Sequence, residues 1–243
     1  GAVRDELRGT RWSGVPNRLS SDHHLWPVID EVAAATEKLS RPGEAFWSPI
    51  VFENSSLEIG NSPIALRRII HQRRSAVALD RRTGITRDAF YHILLKVMPG
   101  SRQVPFTTLP WRPCVDLLLF VHRVADLTPG LYALVRDPMR KEALERAMGR
   151  ALAWTRAQGC PASLPFFFLE AGDACRAARQ TSCEQEIAAD GVFAAAMLAE
   201  YRASLEAFGP WFYRRLYWET GVIGQVLYLE AEASGIRRES CRP

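Results

Sequence analysis

Within the run Arg67-Arg68-Ile69-Ile70-His71-Gln72-Arg73-Arg74-Ser75 stand the donor groups that a phosphate needs. The segment reads as a helix that ends in Arg73, Arg74 and Ser75, two guanidinium groups and a hydroxyl. A guanidinium offers a planar fork that meets two phosphate oxygens at once, and a serine hydroxyl adds a short donor without blocking close approach. A plainer role fits the same residues: in a chain with 31 Lys and Arg, a basic run is commonly a solvated helix face.

The other residues able to do chemistry are less well placed. Asp22, His23 and His24 could ligate a metal, but adjacent residues do not easily supply a tetrahedral set. No further histidine or cysteine cluster is spaced to complete one, so the stretch reads as a polar linker and no metal is expected. The five cysteines, Cys114, Cys160, Cys175, Cys183 and Cys241, are odd in number and form no Cys-x-x-Cys pair, which argues for reduced thiols rather than a disulfide framework or a zinc knuckle. Cys183 falls near an expected helix N-terminus, where the dipole lowers a thiol pKa. It has no histidine nearby in sequence and reads as a small buried residue.

The elements that must position these groups follow from periodicity and punctuation. Residues 1–60 form an extension or interdomain linker: RWSGVPNRLSSDHHLW, an amphipathic WPVIDEVAAATEKLS with Val28, Val32, Ala35 and Leu39 near one helical face, then RPGEAFWSP. From Ile64 the texture is that of a compact domain, with a helix through Gln72, a break at Gly84, and Thr86 capping a helix AFYHILLKVM that Pro99-Gly100 closes. Val115–Val121 and Leu164–Leu169 are near-continuous apolar runs suited to strands buried on both faces, with Pro165 at the start or edge of the second. Pro129-Gly130 turns into Leu131–Val135, a hairpin partner, and Asp137-Pro138 opens a helix expected to run through Gln158.

Two long helices complete the reading. The first is capped at Thr181 or Ser182, with Glu184 or Gln185 closing a capping box, and repeats Phe193, Met197, Tyr201, Leu205 and Phe208 along one face. The second, after Gly209-Pro210, carries Leu216, Val222, Ile223, Val226, Leu227 and Tyr228. Its Gly221 and Gly224 each cost about 1 kcal/mol relative to alanine, which implies close approach by a neighbour, most often another helix.

Composition bounds the function classes. The chain has 243 residues, 47% hydrophobic and 24% charged, with a formal net charge of +4 that is interspersed rather than gathered into tails. There is no long basic stripe with interleaved aromatics to grip nucleic acid, no apolar run of ~20 residues to span a bilayer, and no apolar core of a signal peptide in GAVRDELRGTRW. A cytoplasmic protein is expected, and Gly1 in place of an initiator methionine implies an internal or processed start.

Four segments in order resemble the nitroreductase-like FMN oxidoreductases, and among them the SagB-type dehydrogenases that oxidise peptide azolines. These are ALRRIIHQRRSA at 65–76, VDLLLFVHRVADLTPGLYAL at 115–134, QTSCEQEIAADGVFAAAMLAE at 180–200, and YRRLYWETGVIGQVLYLEAEASGI at 213–236. The resemblance spans roughly residues 60–236, and residues 1–60 resemble the segment that joins the two copies in double-domain members. It implies an α+β fold, a four- or five-stranded antiparallel sheet wrapped by helices, with an N-terminal helical extension or linker at 1–60 and the nitroreductase-like domain at 61–243. It implies a homodimer or pairing with a second copy, with FMN at the boundary and a small-molecule or peptide substrate. Carried over residue by residue, Arg73, Arg74 and Ser75 would hold the flavin phosphate and ribityl chain. The helix with Glu219, Gly221, Gly224 and Gln225 would be the central one, where Glu219 and Gln225 satisfy buried polar groups rather than act as acid or base.

The departures imply an alternative. Where the family places a small or amide residue against the flavin, this chain reads FTTLPWRPCV, with Trp111 and Arg112. The family continues past its central helix into a Gly-rich loop near flavin N5 and a last strand, whereas this sequence reads ASGIRRESCRP, so that strand is expected to be lacking. The alternative to an FMN-dependent oxidoreductase is therefore a degenerate, non-catalytic copy acting as a scaffold or peptide-binding partner of an active domain. A third possibility is a basic binding module whose arginines meet an acidic partner.

Overall fold

The computed structural model describes residues 9–11, 13–15, 22, 24–38, 66–76, 78–100, 104–149 and 151–236. Residues 1–35 form one compact unit and residues 36–243 another. In the first unit the expected amphipathic stretch is helix α1, Pro27–Ala35, with Trp26, Val28, Ile29 and Val32 exposed. Leu39 and the RPGEAFWSP segment lie outside the described residues.

In the second unit a five-stranded antiparallel sheet carries the core. Its strands are β1 Val115–Val121, β2 Gly130–Leu134, β3 Thr155–Arg156, β4 Phe166–Ala171 and β5 Phe193–Ala199, in the spatial order β3-β4-β2-β1-β5. Strand β1 is an interior strand, between β2 and β5, and is buried on both faces, as its near-continuous apolar run predicts. The Pro129-Gly130 turn makes β2 its antiparallel neighbour, with Leu117 opposite Leu134 and Val121 opposite Gly130. Pro165 sits just before β4, where it gives up no ladder donor while its carbonyl accepts from Val135 N–H at 3.0 Å.

Helices α2 Leu66–Gln72, α3 Arg87–Lys96 and α8 Tyr213–Ala233 match their expected segments. Thr86 caps α3 by accepting from Ala89 N–H at 3.2 Å. One face of the sheet meets α3 and α8 in a cluster that joins Phe90, Tyr91 and Leu94 to Leu117, Leu119, Phe166, Ile223 and Val226. The other face meets helix α5, Ala174–Thr181, through Phe120, Ala174 and Ala178.

Two expected helices are corrected. The helix opened by Asp137 passes through a 3₁₀ turn, Pro138–Arg140, and ends as α4, Lys141–Met148, far short of Gln158. Gly149 takes φ +90°, a conformation that stops a right-handed helix, and Thr155 and Arg156 then pair with β4. The long helix expected from Thr181 to Phe208 does not form. Thr181 ends α5, whose cap is Asp173, and Cys183 and Glu184 both have positive φ, so no helix can start there. A short α6, Ile187–Asp190, precedes β5, and α7 is Tyr201–Phe208.

Strand β5 shows tertiary context overriding propensity. FAAAMLA favours helix, yet it pairs with β1 over its whole length, from Phe193 opposite Val121 to Ala199 opposite Val115. Its side chains alternate with period two: Phe193 and Met197 join the α3/α8 core, whereas Ala194 and Ala196 are small enough to let α5 close on the opposite face. Replacing the exposed Ala195 with threonine tests this assignment. Ala195→Thr should raise stability by a few tenths of a kcal/mol, up to about 1 kcal/mol, in a strand. A helix would instead lose about half a kcal/mol, so the direction of the shift in the urea midpoint decides.

Candidate functional site

The basic corner lies where α2 docks on α8. Gln72 Nε2 donates to Glu232 Oε1 at 2.8 Å, and Glu232 is buried. This ties the last turn of α2 to the last turns of α8 and presents Arg73, Arg74 and Ser75 just beyond. The Arg73 guanidinium stands 5.3 Å from the Tyr228 ring centroid, a cation–π contact that orients it without using any N–H. Arg74 turns back on its own helix, with Nη1 donating to the carbonyls of His71 at 2.7 Å and Arg73 at 2.8 Å. Those are orphan acceptors of a helix C-terminus, so part of Arg74's donor capacity goes to capping. Ser75 is exposed. The three sequence-predicted residues are consecutive, and the donors of Arg73 and Ser75 are unengaged among the described residues.

Sequence reasoning missed the centre of the charged core. Asp116 stands in the otherwise apolar strand VDLLLFV, and a carboxylate at a position buried on both faces demands a partner; that was the available signal. Its Oδ1 accepts from Arg136 N–H at 2.8 Å, and its Oδ2 faces Arg140 Nη2 at 3.4 Å. Burial raises the Asp116 pKa above its ordinary 3.8, while Arg140 and Arg136 pull it back. The Arg136 side chain is paired with the Glu219 carboxylate and also donates to the carbonyls of Val97 at 2.7 Å and Val115 at 3.0 Å. Burial lowers the Arg136 pKa, and the adjacent Glu219 acts against that.

Glu219 also accepts from the backbone N–H of Cys114 and Val115 and from the indole N–H of Trp111, at 3.0 to 3.3 Å. With four donors on it and 1% of its side chain exposed, it satisfies buried polar groups, as expected. The expectation for Gln225 is corrected, because it is exposed on the outer side of α8. Among the described residues a Cβ added at Gly221 would meet nothing within 4 Å, and one at Gly224 would stand 3.8 Å from Met197 Cε, so strand β5 rather than a second helix faces Gly224.

Trp111 serves the core, whereas Arg112 is half-exposed. Trp111 packs with Phe212 and Leu216, and Arg112 pairs with Asp137 at 3.0 Å. Cys183 is exposed and follows the C-terminus of α5, which corrects its reading as a buried residue near a helix start. Cys114 beside Glu219 has its thiol pushed up to about 12 by burial and by that carboxylate, so it stays protonated at neutral pH. Among the described residues no three His, Cys, Asp or Glu side chains gather as a metal site, and no helix is long and apolar enough to cross a membrane. His23 and Cys241 lie outside the described residues.

Removing one partner of the buried pair should cost more than removing both. Glu219→Ala leaves Arg136 charged and unpaired in the core and should destabilise by about 3–5 kcal/mol in urea unfolding, whereas Glu219→Leu with Arg136→Met should recover most of the loss. A second prediction concerns pH. His122 is buried, donates from Nε2 to the Ala188 carbonyl at 3.1 Å and leaves Nδ1 without a partner among the described residues, and burial lowers its pKa below 6.5. The unfolded chain therefore takes up a proton first as pH falls below 6.5, and stability present above that pH is lost through the window below it. The melting temperature should fall between pH ~7.5 and ~5.5, and His122→Gln should flatten the fall, leaving the smaller share of His92, whose pKa burial also lowers.

No protein-family model matches the sequence, and no curated protein matches it. Among solved structures the chain is similar to a candidate nitroreductase from Anabaena variabilis ATCC 29413, with a TM-score of 0.57 and 14% sequence identity over 95% of this chain and 46% of that one. The chain spans about half the length of that structure. At this identity the likeness is one of fold: the five-stranded antiparallel sheet with its wrapping helices is a nitroreductase-like fold.

Proposed function

We propose that this chain is an FMN-dependent oxidoreductase domain of the nitroreductase type, with the SagB-type peptide azoline dehydrogenases as the branch it serves best. The observation that carries the reading is the Arg73-Arg74-Ser75 corner, set on a nitroreductase-like fold with two of its three donor groups unengaged among the described residues. The donor set fits a phosphate monoester: Arg73 keeps its N–H groups, Arg74 keeps Nε and Nη2, and Ser75 keeps its hydroxyl. Charge-assisted bonds of this kind are the strong ones.

In this reading Arg73 and Arg74 neutralise the FMN phosphate, Ser75 donates to the phosphate or ribityl chain, and Tyr228 holds the plane of Arg73. When bound, FMN supplies the hydride chemistry, for which the protein provides binding, orientation and electrostatics. Glu219 is spent on the core, so protons for the substrate come from solvent or from the substrate itself. A second copy of the domain, in a homodimer or on a longer chain, covers the outer face of α8, where Tyr217, Trp218 and Tyr228 are 61%, 53% and 47% exposed. The substrate is a small molecule or a peptide.

The phosphate is what the corner reads, so FMN should bind more tightly than riboflavin in a fluorescence-quenching titration. Arg73→Ala and Arg74→Ala should each weaken FMN by about 1.5–3 kcal/mol while leaving riboflavin unchanged. Equal affinity for the two flavins, or no binding of either, overturns the assignment.

A further inference from the structure

A second basic site lies away from the α2–α8 corner, in a cleft of about 400 Å³ that Arg81, Arg123, Arg176, Arg179, Glu186 and Asp190 line. The two carboxylates are already committed. Arg81 pairs with Glu186 at 3.0 Å and with Asp190, and Arg179 pairs with Glu186 at 2.9 Å and with Glu184 at 3.0 Å. Two guanidinium groups make no ion pair among the described residues. Arg123, at the end of β1, donates only to backbone: Nε to the Thr83 carbonyl at 3.1 Å, and Nη2 to the carbonyls of Gly191 at 2.5 Å and of Asp190. Carbonyls from two separate segments fix its position but do not cancel its charge, and no carboxylate of the described residues lies within ion-pair distance. Arg176, on α5, has no partner among the described residues.

Two further acids lie nearby and keep their charge, and Asp80 is partly offset by Arg123. Asp80 accepts from Arg82 N–H, Thr83 N–H and the Thr83 hydroxyl, and Asp173 caps α5 through Cys175 N–H. Cys175 lines the cleft as well, and burial with Asp173 beside it raises its thiol pKa, so it adds no negative charge to repel an anion. Arg123 keeps only its Nη1 hydrogens, held in place by the backbone contacts of Nε and Nη2, and with the fork of Arg176 they match the oxygens and the double charge of one phosphate. The cleft exceeds what a bare phosphate fills, since a water occupies only about 30 Å³ of liquid. Ala189 adds an apolar lining residue against which an organic group can rest.

We propose that this cleft binds a small phosphate monoester, held by Arg123 and Arg176, at a site separate from the Arg73-Arg74-Ser75 corner. The inference does not rest on the flavin reading.

Titration of the full chain with phenyl phosphate, followed by ¹⁵N NMR at the Arg123 Nε–H and the Cys175 and Arg176 amides, tests it. Saturable shifts at these three groups are expected. Arg176 is exposed, so Arg176→Glu should keep the melting temperature while weakening binding by at least about tenfold, the loss of one charge-assisted contact. Arg202→Glu, a charge reversal on the exposed surface of α7, should leave the affinity read at these three groups unchanged. Absence of saturable shifts, or equal weakening by Arg202→Glu, would overturn the proposal. Loss of these shifts in Arg73→Ala would also overturn it, by moving the ligand to the helix corner.

Discussion

A guanidinium and a carboxylate, each with 1% of its side chain exposed, hold the central helix to the sheet. Taking two charges out of water costs several kcal/mol per ion, and their attraction repays this only when the remaining lone pairs and protons are also met. Here they are met by groups that the sheet leaves open. The β1–β2 ladder ends at Leu117 opposite Leu134, and the entering residues Cys114 and Val115 have backbone groups beyond it. Glu219 accepts from both N–H groups, and Arg136 donates to the Val115 carbonyl and to Val97 at the end of α3. One ion pair thus ties α3, the start of β1, the segment after β2, and α8.

That anchoring reaches the basic corner. Glu219 sets where α8 sits on the sheet, and Tyr228 and Glu232 lie up to about 20 Å further along the same helix. They are the residues against which Arg73 and Gln72 rest, so the position of the Arg73-Arg74-Ser75 segment depends on the buried pair through a rigid element. The neighbouring Asp116–Arg140 contact extends the network to Glu200, at the junction of β5 and α7. The charged core therefore reaches the edge strand as well as the helix.

What could be read from the sequence followed the strength of the local signal. β1 announced itself as a near-continuous apolar run, and α3 by a threonine cap and a closing Pro-Gly; both are signals that tertiary context rarely reverses. β5 reads as helix in the sequence because three consecutive alanines carry no β signal. Only the empty edge of β1 and the need for small side chains under α5 make it a strand. The α4 boundary turned on one glycine at φ +90°, which a helix-period pattern does not reveal. At the candidate site, the residue types of Arg73, Arg74 and Ser75 were legible, but Arg74's return to its own carbonyls was not, because it depends on a rotamer rather than on spacing. Arg136 looked like one arginine among many; only Asp116, a charge inside an apolar strand, pointed toward a buried partner.

If the buried pair anchors α8, the Glu219 carboxylate never lets go of the entry to β1 short of unfolding. Native-state hydrogen exchange of the Cys114 and Val115 amides measures that, because both N–H groups end on Glu219. If the buried pair is the anchor, these amides exchange only through global unfolding, with a free energy equal to that from denaturant titration. Exchange at a free energy several kcal/mol lower, with the rest of β1 still protected, would show α8 detaching locally and would contradict the central role given to Arg136 and Glu219.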